Sequence, residues 1–379
     1  MTPKLAGGLL FLANPVAPPA IAPAFFALDG TVGKVHISSL FHQQEAVDMT
    51  QIIDPDASAR WVGYRPEIRI LDCTIRDGGL INDHHFDDTF ASAIYNTCVA
   101  AGIDYVEFGY KASKKIFMPA SYGRWKFCSE DDIRRIIGEK NPAVRVTVMA
   151  DAERTDYKED VLPREKSVVD CVRVACYIHQ IPVALDMIRD AHDKGYETMM
   201  QLMAVSTVHE HDLTEALAAI ARSPTDSVSL VDSFGAFYSE QVRSLITIYL
   251  EAMKGTGKEV GFHGHNNQQL AFANTIEAVV AGANRLDATI NGIGRGAGNC
   301  PTELLISFLH NPKFRVRPVL QCVRDVFVPL RKQIEWGYSI PDAISGRLNR
   351  HPSAAIKMRA GPNPDDYVSF YDQIIEEES

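Results

Sequence analysis

The sequence reads as an α/β protein of the (β/α)8 TIM-barrel class, and three observations lead there. Apolar strand-like runs alternate with helical periodicity eight times between residues 68 and 309. That span, about 240 residues, matches the usual barrel length of about 250. Residues able to do chemistry gather at the C-terminal ends of the runs, where barrels place their sites. A doubly wound sheet would not need eight repeats. Its best support, Gly292-Ile293-Gly294-Arg295-Gly296-Ala297, has dinucleotide-loop spacing. That loop follows the last strand instead of the first, with no acidic residue at the required distance.

The first strand is Ile68–Cys73. Phe86, Phe90, Ile94 and Cys98 then recur every four residues on one helix face, which Gly102 closes. Tyr105–Phe108 is the second strand, followed by a long loop and a helix near Asp131–Gly138. Val144–Ala150 and Cys171–Cys176 are strands three and four, separated by a charged stretch, Asp151–Lys166, expected to hold a short helix. Pro182–Lys194 suits a helix opened by proline and stopped by Gly195. The pattern continues with strand Thr198–Ala204, helix Leu213–Ala221, strand Ser227–Val231 and helix Gln241–Met253. Strand Val260–His263, helix Leu270–Val280, strand Arg285–Ile290 and helix Thr302–Leu309 complete it. Beyond Pro318 an amphipathic helix, Val319–Glu335, opens a helical tail expected to pack on the barrel or on a second subunit. The expected organisation is therefore an N-terminal extension (1–60), a catalytic barrel (66–312) and a helical C-terminal region (313–379).

Composition narrows the function. A formal net charge of −10 argues against a nucleic-acid partner, which would demand a basic face. Seven cysteines without a CxxC spacing read as small core residues of a reducing compartment, so the expected location is cytoplasmic. Leu5–Leu28 is apolar, but Asn14 and four prolines interrupt it, so it does not read as a membrane helix. Either a signal peptide, with Lys4 as its basic region, or a stretch upstream of a functional start at Met49 accounts for it; residues 1–60 are expected to be poorly ordered.

The chemistry centres on Gly261-Phe262-His263-Gly264-His265-Asn266-Asn267. Alternate strand side chains share a face, so His263 and His265 point the same way. By itself such a pair is more readily two hydrogen-bonded core histidines than two metal ligands. A closed ring changes the weighting, because strands seven, eight and one become neighbours. The first strand ends in Arg76-Asp77-Gly78-Gly79, whose glycines are expected to let the chain turn sharply, and the eighth runs into Gly298-Asn299. Asp77, His263, His265 and Asn299 then fall in one sector, a mixed O/N donor set without thiolate that suits Mn²⁺ or Mg²⁺ and does not exclude Zn²⁺. Asp77 could otherwise be a helix cap or the partner of Arg76. Glu107 on strand two, Arg173 within strand four and Asp232 at the end of strand six are candidate substrate-binding groups. Each has a structural counterpart, a salt bridge for the first two and a helix cap for the third. The loop 111–126 carries Lys111, Lys114, Lys115, Arg124 and Lys126 with no acid, which is either a solvated loop or a hint of an anionic substrate.

Asp72-Cys73-Thr74-Ile75-Arg76-Asp77-Gly78 resembles the D-x-T-x-R-D-G signature of the DRE-TIM metallolyases, the HMGL-like or pyruvate carboxyltransferase family. His263-Gly264-His265-Asn266-Asn267 resembles their second signature, and Gly292-x-Gly294 through Gly298-Asn299 with Glu303 their third. Within the family the chain looks most like 4-hydroxy-2-oxovalerate aldolase-type members, and Arg76–Asp83, Trp336-Gly337-Tyr338-x-Ile340-Pro341 and Asn349-x-His351-Pro352 resemble an aldolase-like bacterial subgroup. The resemblance implies a carbon–carbon lyase in which a divalent cation polarises a 2-oxo acid and Arg76 stabilises the enolate. It implies a 2-oxo acid and an aldehyde as substrates, with a homodimer or a complex with a dehydrogenase as the assembly. Acyl-CoA condensation and a non-catalytic barrel subunit are the alternatives. Two positions depart from the pattern. Leu80 stands where those aldolases carry a histidine base, leaving His84, or His85, as the candidate. Arg295 stands where hydroxymethylglutaryl-CoA lyases carry a cysteine.

Overall fold

The computed structural model describes residues 65–376, so the expectations for the extension lie outside the described residues. Eight parallel strands close into a barrel in sequence order. They are β1 (Arg69–Asp72), β2 (Tyr105–Tyr110), β3 (Arg145–Asp151) and β4 (Cys171–Cys176). β5 (Glu197–Leu202), β6 (Ser227–Asp232), β7 (Glu259–Gly264) and β8 (Arg285–Ala288) follow. β8 returns to pair with β1, Asp72 opposite Ala288. Among the described residues no helix is long and apolar enough to cross a membrane.

One parity governs the ring. Even-numbered strand residues such as Ile70, Val106, Val146, Val172, Met200, Leu230, Phe262 and Leu286 are buried in the layer between strands and helices. Odd-numbered residues turn into the barrel. At its lower end Arg285 and Glu197 pair at 3.0 Å and the Tyr105 hydroxyl donates to Glu197 at 2.8 Å, closing the floor with satisfied charge. Leu71, Tyr105, Cys171 and Met199 pack beside this layer. All seven cysteines are buried and free, as the small-core reading requires.

Most elements fall where the periodicity puts them; four details differ. β1 stops at Asp72, whose carboxylate accepts from the Thr74 amide (3.1 Å) and hydroxyl (2.9 Å) and turns the chain into a short helix, Thr74–Gly78. Gly78 and Gly79 are helical, with φ of −58° and −60°, so they are not there to permit a sharp turn. They permit close approach: a Cβ on Gly79 would lie 2.5 Å from Nδ1 of His84. β8 also ends early, at Ala288. Beyond it the Thr74 hydroxyl accepts from the Ile290 amide at 2.8 Å and draws the chain into a 3₁₀ turn, Ile290–Gly292. The tail helix is interrupted. Val316–Cys322 gives way to a π-helical turn, Val323–Phe327, because Pro329 has no N–H with which to continue the α ladder.

The rest of the tail, helices Ile340–Arg347, Ser353–Arg359 and Tyr367–Glu376, crosses the mouth of the barrel. Trp336 donates to the Asn291 carbonyl at 3.1 Å, Gly337 to that of Gly296 at 3.0 Å, and Asn267 to that of Asp342 at 3.3 Å. These bonds anchor the tail to the loops after β7 and β8.

Gly102 has φ +75°, and a Cβ there would lie 2.2 Å from the Lys313 carbonyl oxygen. Replacing it by alanine is expected to cost about 2 kcal/mol, read as a lower urea midpoint at unchanged slope.

Candidate active site

Side chains from β1, β7 and β8 meet at the mouth. Asp77 is fully buried, and its Oδ2 lies 3.4 Å from Nε2 of His263 and 3.9 Å from Nε2 of His265. The opposite nitrogen of each imidazole is held. Nδ1 of His263 faces Asp287 Oδ2 at 2.9 Å, and Nδ1 of His265 faces the Asp232 carbonyl at 3.0 Å. This is the arrangement that aims Nε2 at a metal. Asn299 donates through Nδ2 to the Ile293 carbonyl at 3.1 Å, which leaves its Oδ1 buried and unpartnered; Asp77 Oδ1 is buried and unpartnered too. Both surround Gly294, where a Cβ would lie 2.1 Å from Asn299 Nδ2 and 3.3 Å from Asp77 Oδ1. The loop can bring them together because residue 294 has no side chain.

Beneath them runs a chain of buried ion pairs. Arg76 donates to Asp77 Oδ2 and to Glu107 Oε2, both at 2.7 Å. Arg173 donates to Glu107 at 2.9 Å and also pairs with Asp287. Three carboxylates (Asp77, Glu107, Asp287) face two guanidiniums (Arg76, Arg173), leaving one negative charge when both histidines are neutral. Burial opposes ionisation of Asp77, but Arg76 and His263 outweigh it and hold that carboxyl well below its usual range. Burial likewise disfavours the imidazolium of His263, yet Asp287 and Asp77 outweigh it and move the pKa upward. For His265 burial wins and pushes the pKa down to about 3.

The residues therefore fit a divalent cation. Two orphaned oxygens, two aimed nitrogens and a surplus of carboxylates among the buried groups make a donor set of the kind such an ion takes. Cys73 lies close enough that Cys73, Asp77 and His263 by themselves form a potential metal cluster. Its thiol hydrogen-bonds the Ala288 carbonyl at 3.4 Å, and burial pushes its pKa up, so the O/N set describes the donors better than a thiolate site.

A cavity of about 370 Å³ opens above the cluster, walled by Arg76, Asp77, His263, His265 and residues from β2 to β6. Of the predicted substrate-binding residues, Arg76 and Arg173 reach it. Glu107 is buried below, bridging the two arginines. Asp232 turns the other way, accepting from the Ala236 amide at 2.9 Å and the Phe237 amide at 3.3 Å; burial raises its pKa to about 7. His84 is buried behind Tyr110, ring edge to face at 5.3 Å, and is not among the lining residues. Burial and the Lys126 charge push its pKa down to about 3. His85 is exposed. His351, from the tail, does line the cavity and packs on Phe234, centroids 5.8 Å apart.

Sequence reasoning overlooked Asp287 and Tyr110. Asp287 shares the inward parity of Arg285 on β8, so an ionised group there must find a partner inside the barrel. That signal was available.

The HMGL-like family model matches residues 67–326. The chain belongs to the HMGL-like family. It is 34% identical over 246 residues to an oxaloacetate decarboxylase of Mycobacterium tuberculosis, covering 63% of this chain and 69% of that protein. It is 30% identical over 242 residues to 4-hydroxy-2-oxovalerate aldolase 2 of Mycolicibacterium smegmatis, covering 63% and 68%. Among solved structures, the N-terminal domain of a candidate aldolase from Bacteroides vulgatus superposes with a TM-score of 0.66 at 26% identity, over 76% of this chain and 94% of that one. The HMG-CoA lyase of Brucella melitensis shares the fold, with a TM-score of 0.57 at 17% identity over 70% and 99%. As a member of this family the chain is an enzyme of the carbon–carbon lyase class.

Asp287→Asn is expected to weaken Mn²⁺ binding about 10- to 100-fold in calorimetric titration, because it loosens the orientation of His263.

Proposed function

We propose that the enzyme is a divalent-metal-dependent aldolase that makes or breaks a carbon–carbon bond beside a 2-oxo acid, through an enolate. The observation that carries this reading is the pair of orphaned oxygens, Asp77 Oδ1 and Asn299 Oδ1, set against the nitrogens of His263 and His265. These four residues would hold Mn²⁺ or Mg²⁺, which when bound supplies Lewis-acid polarisation of the oxo acid.

The chain's own groups do the rest. Arg76 spends Nε and Nη1 on Glu107 and Asp77; its Nη2 has no partner among the described residues, and the side chain lines the cavity. That donor is preorganised for the oxygen on which charge grows as the bond breaks. Glu107 and Arg173 position it by fixing the plane of the guanidinium. In the cleavage direction the C4 hydroxyl loses its proton and becomes an aldehyde, and the bonding pair remains on the enolate. Protonation at C3 then gives the shorter 2-oxo acid. We assign the proton transfer to groups that reach the cavity, Tyr110 and His351, and give His84 a positioning role behind Tyr110.

The name of the 34%-identical relative favours a second reading, decarboxylation of a 2-oxo acid carrying a carboxylate at C3. It uses the same enolate and differs in releasing CO₂ instead of an aldehyde. An acyl-CoA condensation would instead release free CoA, which a thiol assay detects.

With Mn²⁺ present the protein is expected to exchange the C3 protons of pyruvate for deuterium, followed by NMR. Arg76→Lys is expected to slow exchange about 100-fold or more while still binding Mn²⁺. No exchange by the parent enzyme would contradict the enolate reading.

A further inference from the structure

The loop after β2 carries five cations, and most are accounted for away from the cavity. Lys111 pairs with Glu130 at 3.4 Å, Lys115 with Asp156 at 3.3 Å and Arg124 with Asp88 at 2.9 Å, while Lys114 lies 6.0 Å from the centre of the Phe127 ring. Lys126 is different. It is 7% exposed, it lines the cavity, and it makes no side-chain hydrogen bond or ion pair with any described residue. Its ammonium sits 4.2 Å from the ring centre of Phe117 and 4.5 Å from that of Tyr110. Aromatic faces offset part of the cost of burying that charge, but they are not a counter-ion.

Two neighbours on the same wall come from the end of β3 and the loop beyond it. Asp151 and Arg154 line the cavity, and neither makes a side-chain hydrogen bond or ion pair with a described residue. β3 stands opposite β7 in the ring, so this corner faces the histidine corner across the cavity. Two cations against one carboxylate leave it net positive. Across the cavity Arg295 lines the wall near His265, so the three carboxylates of the Asp77 cluster face three guanidiniums, and the Lys126 corner is the one with a surplus of positive charge.

We propose that the Lys126–Arg154 corner binds an anionic group, carboxylate or phosphate, on the part of the substrate remote from the reacting carbon. The inference rests on the lyase reading of the cavity and adds its substrate class: an oxo acid whose leaving portion is charged, or in the reverse direction an aldehyde bearing an anion. One cation of this kind, desolvated and prepaid by the fold, is enough to discriminate a charged from a neutral partner.

The test compares kcat/KM for pyruvate with succinic semialdehyde, with glyceraldehyde 3-phosphate, and with neutral butyraldehyde and glyceraldehyde. The parent enzyme is expected to favour at least one charged aldehyde over its neutral counterpart by about ten-fold or more, and which one identifies carboxylate or phosphate. Lys126→Met is expected to collapse that ratio, and Lys126→Arg to retain it. No preference in the parent, or an equal loss on charged and neutral aldehydes in Lys126→Met, overturns the proposal. A second measurement does not need turnover. Succinate and inorganic phosphate are titrated into the Mn²⁺-loaded protein by calorimetry, and the tighter of the two is expected to weaken about ten-fold in Lys126→Met. If Lys126→Met does not fold, exposed Arg154→Gln carries the same comparison. Anion binding lost in these variants supports the subsite even if no aldol reaction occurs, a result that would count against the lyase reading alone. Binding unchanged by either variant overturns the subsite.

Discussion

Five ionised groups lie almost out of contact with water inside the upper barrel, and their charges do not cancel. Arg76 and Arg173 cannot give up their protons, and three carboxylates, Asp77, Glu107 and Asp287, are set against them. That leaves one carboxylate over, and a buried charge is costly unless it is paired. A proton on His263, between Asp287 and Asp77, is one answer, and the upward pull on its pKa shows how strongly that position attracts positive charge. The divalent ion of the proposed function is the other, and it would also satisfy the orphaned oxygens of Asp77 and Asn299. Arg76 and His263 are both held against Asp77, so the cluster fixes the side chains around which the mouth is arranged.

The mouth is built outward from that point. Asp232 caps the turn after β6 while its carbonyl orients His265; Gly294 lets the last loop approach Asp77; the tail is pinned to the same loops and delivers His351. The cavity so formed has the candidate donor set at its end on β1, β7 and β8, with Arg295 beside it, and Lys126 and Arg154 near β2 and β3. On the proposed reading an oxo acid would place its reacting carbon at the first end and an anionic far group at the second.

Much of this was legible in the chain. Strand and helix alternation gave the ring, and the ring brought residue 77 beside residues 263 and 265, which no local motif could do. The basic loop was visible as composition. What escaped was side-chain direction. Glu107 and Asp232 carry the right chemistry at the right strand ends, but one points down to two arginines and the other sideways to backbone amides. His84 lies near the expected base position in sequence but is buried behind Tyr110. The two glycines after Asp77 looked like a turn and prove to be contact surfaces, because Gly79 lies against a ring five residues on. The tail's path over the mouth depends on hydrogen bonds between distant loops, which periodicity does not encode.

The surplus buried charge can be tested directly by the thermal unfolding of metal-stripped protein titrated with Mn²⁺. The account predicts that the midpoint rises with Mn²⁺ concentration and saturates at one ion per chain, and that Asp77→Ala abolishes the response. A midpoint indifferent to Mn²⁺, Mg²⁺ and Zn²⁺ alike in the parent protein would contradict it.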